Sequence, residues 1–218
     1  LHFNDYPGRP YHRDGRYNGF SIYVPEKQFS NSKASRAVAG SLFPQFSKFI
    51  AASNFTLEDS GIVPDQDLIA VGAYNTLDAA GLLIEYGYIY EERFKNSAIR
   101  EAFLKELALQ TYIGLNNFFG NPKEALRRYP TSFLPHEWSS PLSQGAAAQP
   151  SVLSLQAALL FEEFYPPEGD KRACPITGSF GPCTARAVSH FQQKHGIAPV
   201  SGVAGAQTLS KLNELYGR

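Results

Sequence analysis

The chain has 218 residues, with 20 Lys plus Arg set against 20 Asp plus Glu and a formal charge of zero. A balance of this kind gives no electrostatic footprint for nucleic acid or for an anionic membrane surface. Twelve Tyr and 16 Phe argue against disorder over most of the length, and no apolar run reaches the roughly 18 residues needed for a membrane span.

The length leaves room for one medium and one small domain, each with its own core. The chain starts at Leu1 and contains no Met, and Leu1 to Asp5 reads as the end of a strand with nothing before it. The expectation is a fragment, with any signal peptide upstream. A polar loop, Asp5 to Asn18, leads into Gly19 to Val24, whose alternation of apolar and polar residues predicts a strand ending at Pro25. Ser30-Asn31-Ser32 offers helix caps, and Ala34, Ala37, Val38, Leu42, Phe46 and Phe49 recur at helical spacing. Pro44 should bend or split that helix. A loop from Ala52 to Gln66 runs into a short expected strand, Asp67 to Ala73, and Thr76 to Ala80 reads as a turn or brief helix.

Gly81 to Ile89 is an apolar run interrupted by one carboxylate, Glu85. Apolar residues at both parities predict a parallel strand covered on both faces. A charge there is costly, so Glu85 belongs at the open C-terminal end of the strand or beside a cation. Asn96-Ser97 then caps a long helix to about Phe119, stopped by Gly120-Asn121-Pro122. Strands alternating with helices indicate an α/β layer with a partial, mostly parallel sheet. The expected domains are 1–122 (α/β), a linker at 123–150 with a docking patch around Trp138, and 151–218.

The last segment changes character. Val152 to Phe161 is an amphipathic helix, and the frame GxxGxxT occurs at Gly178 to Thr184 and again at Gly202 to Thr208, 24 residues later, each time opening a helix. This predicts a small all-α, three-helix domain with an internal half-repeat, Gly181 serving as an N-cap with Pro182 at the first helical position. Cys174 and Cys183 are not spaced as a zinc or redox pair. A local disulfide, the favoured reading, would place the chain in an oxidising compartment, and two free thiols are the alternative.

Two resemblances follow from these residues. Leu155-Gln156-Ala157-Ala158-Leu159, Thr177 to Thr184, Ala187-Val188, Phe191-Gln192, Gly196-Ile197 and Gly202 to Gly205 resemble the helical peptidoglycan-binding domain of bacterial cell-wall hydrolases. Residues 1 to about 119 resemble the second half of the zinc-dependent N-acetylmuramoyl-L-alanine amidases, through His2-Phe3-Asn4, Gly19-Phe20, Ser32-Lys33-Ala34 and Glu85-Tyr86-Gly87-Tyr88. Where that family commonly has Asn-Arg-Gly, this chain has Asp59-Ser60-Gly61.

The amidase resemblance implies that His2 is a zinc ligand and Glu85 the catalytic carboxylate. Two further ligands would lie before His2; Asp5, His12 and Asp14 are local substitutes. Zinc would lower the pKa of a bound water, and Glu85 would carry its proton to the leaving amine. The implied reaction is hydrolysis of the amide between N-acetylmuramic acid and L-alanine of peptidoglycan. Asn4 and Phe180 are candidate substrate contacts. The implied partner is peptidoglycan, met by a monomer in the cell envelope or outside the cell. The alternative is a non-catalytic peptidoglycan-binding protein on an inactive amidase-like scaffold. A peptidase of another class is disfavoured because neither HExxH nor GxSxG occurs.

Overall fold

A computed structural model describes residues 2–5, 15–65, 67, 78–121 and 129–217. Its elements, in order, are β1 (His2–Asn4), β2 (Ser21–Val24), α1 (Ser32–Phe49), β3 (Ile62–Pro64), β4 (Leu83–Tyr88), α2 (Glu92–Lys95), α3 (Ser97–Phe118), α4 (Pro150–Phe161), α5 (Pro182–Lys194) and α6 (Ala206–Tyr216). Two compact units result, Leu1–Glu91 with Leu107–Leu126, and Glu92–Glu106 with Arg127–Arg218. No helix among the described residues is long and apolar enough to cross a membrane.

The first unit is α/β. Among the described residues its sheet has four strands, in the order β1-β4-β2-β3. β1 runs parallel to β4 and β3 parallel to β2, while β2 and β4 are antiparallel. The sheet is therefore mixed, and β4 has one parallel and one antiparallel neighbour. Phe20, Ile22 and Val24 are buried, as are Val38, Leu42, Phe46 and Phe49 of α1, which recur at the spacing that keeps one helix face on the sheet. The Phe46 ring stands edge-on to Phe20 and to Tyr86, with centroids 5.4 Å apart in each pair.

Pro44 lies inside α1 without ending it. It forgoes one bond, to the carbonyl of Gly40, and Gly40 is exposed, so water can take that acceptor. β3 falls within the stretch expected as loop; a three-residue strand is too short to display alternation. The expected strand Asp67 to Ala73 lies almost wholly outside the described residues.

The second unit is helical. Every residue of α4 from Val152 to Leu159 is buried, the pattern of a helix surrounded by protein. α5 and α6 begin after Gly181 and Gly205, with Pro182 at the start of α5. Two buried glutamines hold the turns ahead of these helices. Gln156 Oε1 accepts from the backbone N–H of Thr177 and Gly178, and its Nε2 donates to Ser179 O and Thr184 Oγ1. Gln192 does the same with Ser201, Gly202, Val203 and Thr208. The repeated frame read from the sequence is thus a repeated hydrogen-bond circuit. Gly178 and Gly202 sit at φ 72° and 70°, backbone that a residue with a Cβ rarely adopts.

Residues 129–149, within the stretch expected as a linker, contribute Phe133, Leu134, Trp138 and Leu142 to the buried set. Trp138 exchanges backbone bonds with the Asn213 side chain, and its Nε1 donates to Ser151 O at 2.9 Å. Cys174 and Cys183 form a disulfide.

Candidate functional site

Pairing across the sheet sets Glu85 of β4 opposite His2 of β1 on one side and Ser21 of β2 on the other. Glu85 is the third of six residues in β4, so it lies mid-strand and not at the C-terminal end expected from the sequence; His2 opens its own strand. What holds the charge is the neighbour. His2 Nδ1 is 2.8 Å from Glu85 Oε1, with the imidazole 65 % exposed and the carboxylate side chain 8 % exposed. Glu85 Oε2 is buried and has no hydrogen-bond partner among the described residues.

Burial raises the pKa of Glu85 above the ordinary carboxylate value; the hydrogen bond and charge of His2 pull it down, and the charge of Glu58 pushes it up, with the balance upward. A carboxyl in this state can take up and release a proton nearer neutrality than a solvated one.

Glu58 is 2 % exposed. Its Oε1 accepts from Asn4 Nδ2 at 2.9 Å and from Tyr23 OH at 2.5 Å, and its Oε2 accepts from Tyr88 OH at 3.0 Å. Burial, followed by contributions from Glu58, holds the Tyr23 hydroxyl far above the usual phenol range. Tyr88 is also raised, chiefly by burial. Both phenols therefore stay protonated and keep donating to the carboxylate. Asn4, Asp5, Tyr17, Tyr23, Phe55, Glu58 and Tyr88 line a cavity of about 320 Å³.

Of the residues singled out in the sequence, His2 and Glu85 are brought together, and Asn4 joins them on β1 with its amide turned to Glu58. Phe180 is placed differently from expectation: it is 2 % exposed, an apolar ring enclosed in the helical core with no face left for a ligand. Sequence reasoning missed Glu58. It sits in a loop where an acid ordinarily meets water, and its burial comes from the turn closed by Glu58 N to Phe55 O and Gly61 N to Glu58 O, which no periodicity announces.

Zinc hydrolysis needs three protein ligands and one open position. Among the described residues, no group of three or more His, Cys, Asp or Glu side chains could hold a metal ion. Asp5 is described at the cavity, while His12 and Asp14 lie outside the described residues. The described side chains therefore do not by themselves fit a catalytic zinc.

Residues 148–212 match the family model described as "Putative peptidoglycan binding domain". The second unit carries a peptidoglycan-binding-type domain. The chain is 38 % identical over 87 residues to N-acetylmuramoyl-L-alanine amidase CwlL of Bacillus licheniformis, covering 40 % of this chain and 22 % of that protein. It is 38 % identical over 80 residues to the zinc D-Ala-D-Ala carboxypeptidase of Streptomyces albus G, covering 37 % and 29 %. It is 36 % identical over 84 residues to N-acetylmuramoyl-L-alanine amidase CwlH of Bacillus subtilis (strain 168), covering 38 % and 32 %. The chain thus spans between 22 % and 32 % of the length of these relatives. It is similar to N-acetylmuramoyl-L-alanine amidases and carries a peptidoglycan-binding-type domain, while the three relatives are named for two different activities, amidase and carboxypeptidase.

Proposed function

We propose that the chain acts on bacterial peptidoglycan at the cell envelope or outside the cell, hydrolysing the amide between N-acetylmuramic acid and L-alanine while its helical domain holds the wall. The observation that carries this reading is Glu85: a buried carboxylate with one oxygen on the His2 imidazole and the other without a hydrogen-bond partner among the described residues. Its raised pKa suits a group that removes a proton from the attacking water and delivers it to the departing alanine nitrogen. Water and amide give a carboxylic acid and an amine, so the proton is returned and Glu85 ends as it began. His2 orients the carboxylate through Nδ1, which leaves Nε2 as the nitrogen a zinc ion could take. Zinc, were it held there with further ligands from outside the described residues, would supply Lewis acidity.

The test is incubation of the whole chain with purified peptidoglycan, with and without added zinc. New N-terminal alanine amines should appear with the chain and be absent with Glu85→Gln, while both proteins still sediment with the wall. The absence of a three-ligand group among the described residues favours a second reading, a binder without hydrolytic activity. Sedimentation with the wall and no new amines, zinc present, would establish that reading and overturn the first.

A further inference from the structure

The Glu58 cavity differs in chemistry from the His2–Glu85 pair beside it. Glu58 is buried, and its hydrogen-bond partners, Asn4, Tyr23 and Tyr88, are all neutral donors. No Lys, Arg or His among the described residues lines the cavity. A buried carboxylate without a cation is costly; among the described residues, three neutral donors stabilise the charge of Glu58 and no cation cancels it.

The walls reinforce the same sign. Tyr17 lies 5.0 Å from Phe55 and 6.1 Å from Tyr88, centroid to centroid, so a run of rings borders the space. Aromatic faces carry negative quadrupole potential and attract cations. Glu58 has about four lone-pair directions, of which three are used, and the Tyr23 oxygen keeps acceptor capacity after donating its proton. A cavity of about 320 Å³ is at the small end for ligand sites; it suits a side chain or a single substituent, not a whole oligosaccharide.

We propose that this cavity binds a primary alkylammonium group, of the kind a lysine-type side chain presents, with Glu58 neutralising the charge and the rings of Tyr17, Phe55 and Tyr88 enclosing the alkyl stem. An –NH3+ head brings three donors to the free lone pair of Glu58 and the neighbouring phenol oxygens. A neutral alcohol would leave the carboxylate uncompensated, and an anion would meet like charge. The inference goes beyond the proposed hydrolysis and holds whether or not that reaction occurs.

The experiment is titration of the whole chain with n-butylammonium, n-butanol and n-butyrate at constant ionic strength, followed by NMR of the Asn4 side-chain amide. Saturable shifts with n-butylammonium, and none with the other two at the same concentrations, are expected. Glu58→Gln should weaken binding at least tenfold and Phe55→Leu severalfold, with far-UV circular dichroism checking the fold. The Phe55 variant keeps all of the Glu58 bonds and decides the matter if Glu58→Gln does not fold. Equal shifts with n-butanol, a preference for n-butyrate, no shifts with n-butylammonium, or unchanged affinity in a folded variant would overturn the proposal. Wall hydrolysis, assayed separately, distinguishes its failure from that of the proposed reaction: butylammonium binding without hydrolysis removes only the latter.

Discussion

Gln192→Leu should destabilise the second unit far more than its small change in volume suggests. Gln192 Oε1 accepts from Ser201 N at 2.9 Å and Gly202 N at 3.0 Å, and Nε2 donates to Val203 O at 2.8 Å and Thr208 Oγ1 at 3.0 Å. Leu makes none of these bonds. The Ser201 and Val203 groups lie near the surface and can turn to water, but the Gly202 N–H and the Thr208 hydroxyl stay enclosed. A buried polar group left unsatisfied costs about 1–3 kcal/mol, so two cost roughly 2–6 kcal/mol. Trp138 is the single tryptophan and is buried in this unit, so its fluorescence reports unfolding of the unit by guanidinium. With a denaturant slope of about 4 kcal/mol per M for a unit of this size, the midpoint should fall by about 0.5 to 1.5 M. The control is the adjacent, exposed Gln193, where Leu should stay within about 0.5 kcal/mol. If both variants unfold within about 0.5 kcal/mol of the parent, the circuit does not hold the turn and the reasoning fails.

Gly19→Ala should cost the first unit at least about 2 kcal/mol: φ is +97°, and the added Cβ would lie 2.6 Å from the carbonyl oxygens of both Ala51 and Ala52. An unchanged circular-dichroism midpoint would contradict this. Reduction of Cys174–Cys183, which closes a sequence separation of 9, should lower the stability of the second unit by about 2.5 kcal/mol, and an unaltered Trp138 transition under reductant would refute it. Burial of Glu162 opposes its ionisation, but Lys194, Tyr216 and His195 outweigh burial and hold its carboxyl below the ordinary range. A folded-state pKa below the unfolded one adds stability that is present above the unfolded pKa and lost as the pH falls through the folded one. Glu162→Gln should therefore be the less stable protein at neutral pH, and its deficit should close on acidification below about pH 4; a deficit independent of pH would count against the ion pairs.

The sequence made some of this legible because some of the physics is local. The frames at Gly178 and Gly202 located two helix starts, since Gly and Pro act through their own backbone. Glu85 stood out as a charge in an apolar run, and its pairing with His2 bridges 83 positions, a distance that only the family resemblance spanned. The mid-strand place of Glu85 was not legible, because both parities of β4 are apolar and give no sign of where the strand ends. Phe133, Leu134 and Leu142 looked like linker because Pro135 and Pro141 break any periodicity around them, and only Trp138 was marked as a docking patch; all four are buried. Glu58, and the hydrogen-bonding role of the two glutamines, escaped for a common reason. A polar side chain enclosed by tertiary structure has the same sequence neighbours as one in water.

The glutamine circuits also separate the shape of the turns from their chemistry. In each turn, Gln156 or Gln192 grips two N–H groups and one C=O of the main chain, together with the hydroxyl of the Thr in the first turn of the following helix. Side chains at positions such as Val200 and Val203, which are exposed, contribute nothing to that grip. The turns therefore work as fixed mounts with exchangeable fittings: descendants of this domain can change what they present at the surface without relearning how to fold.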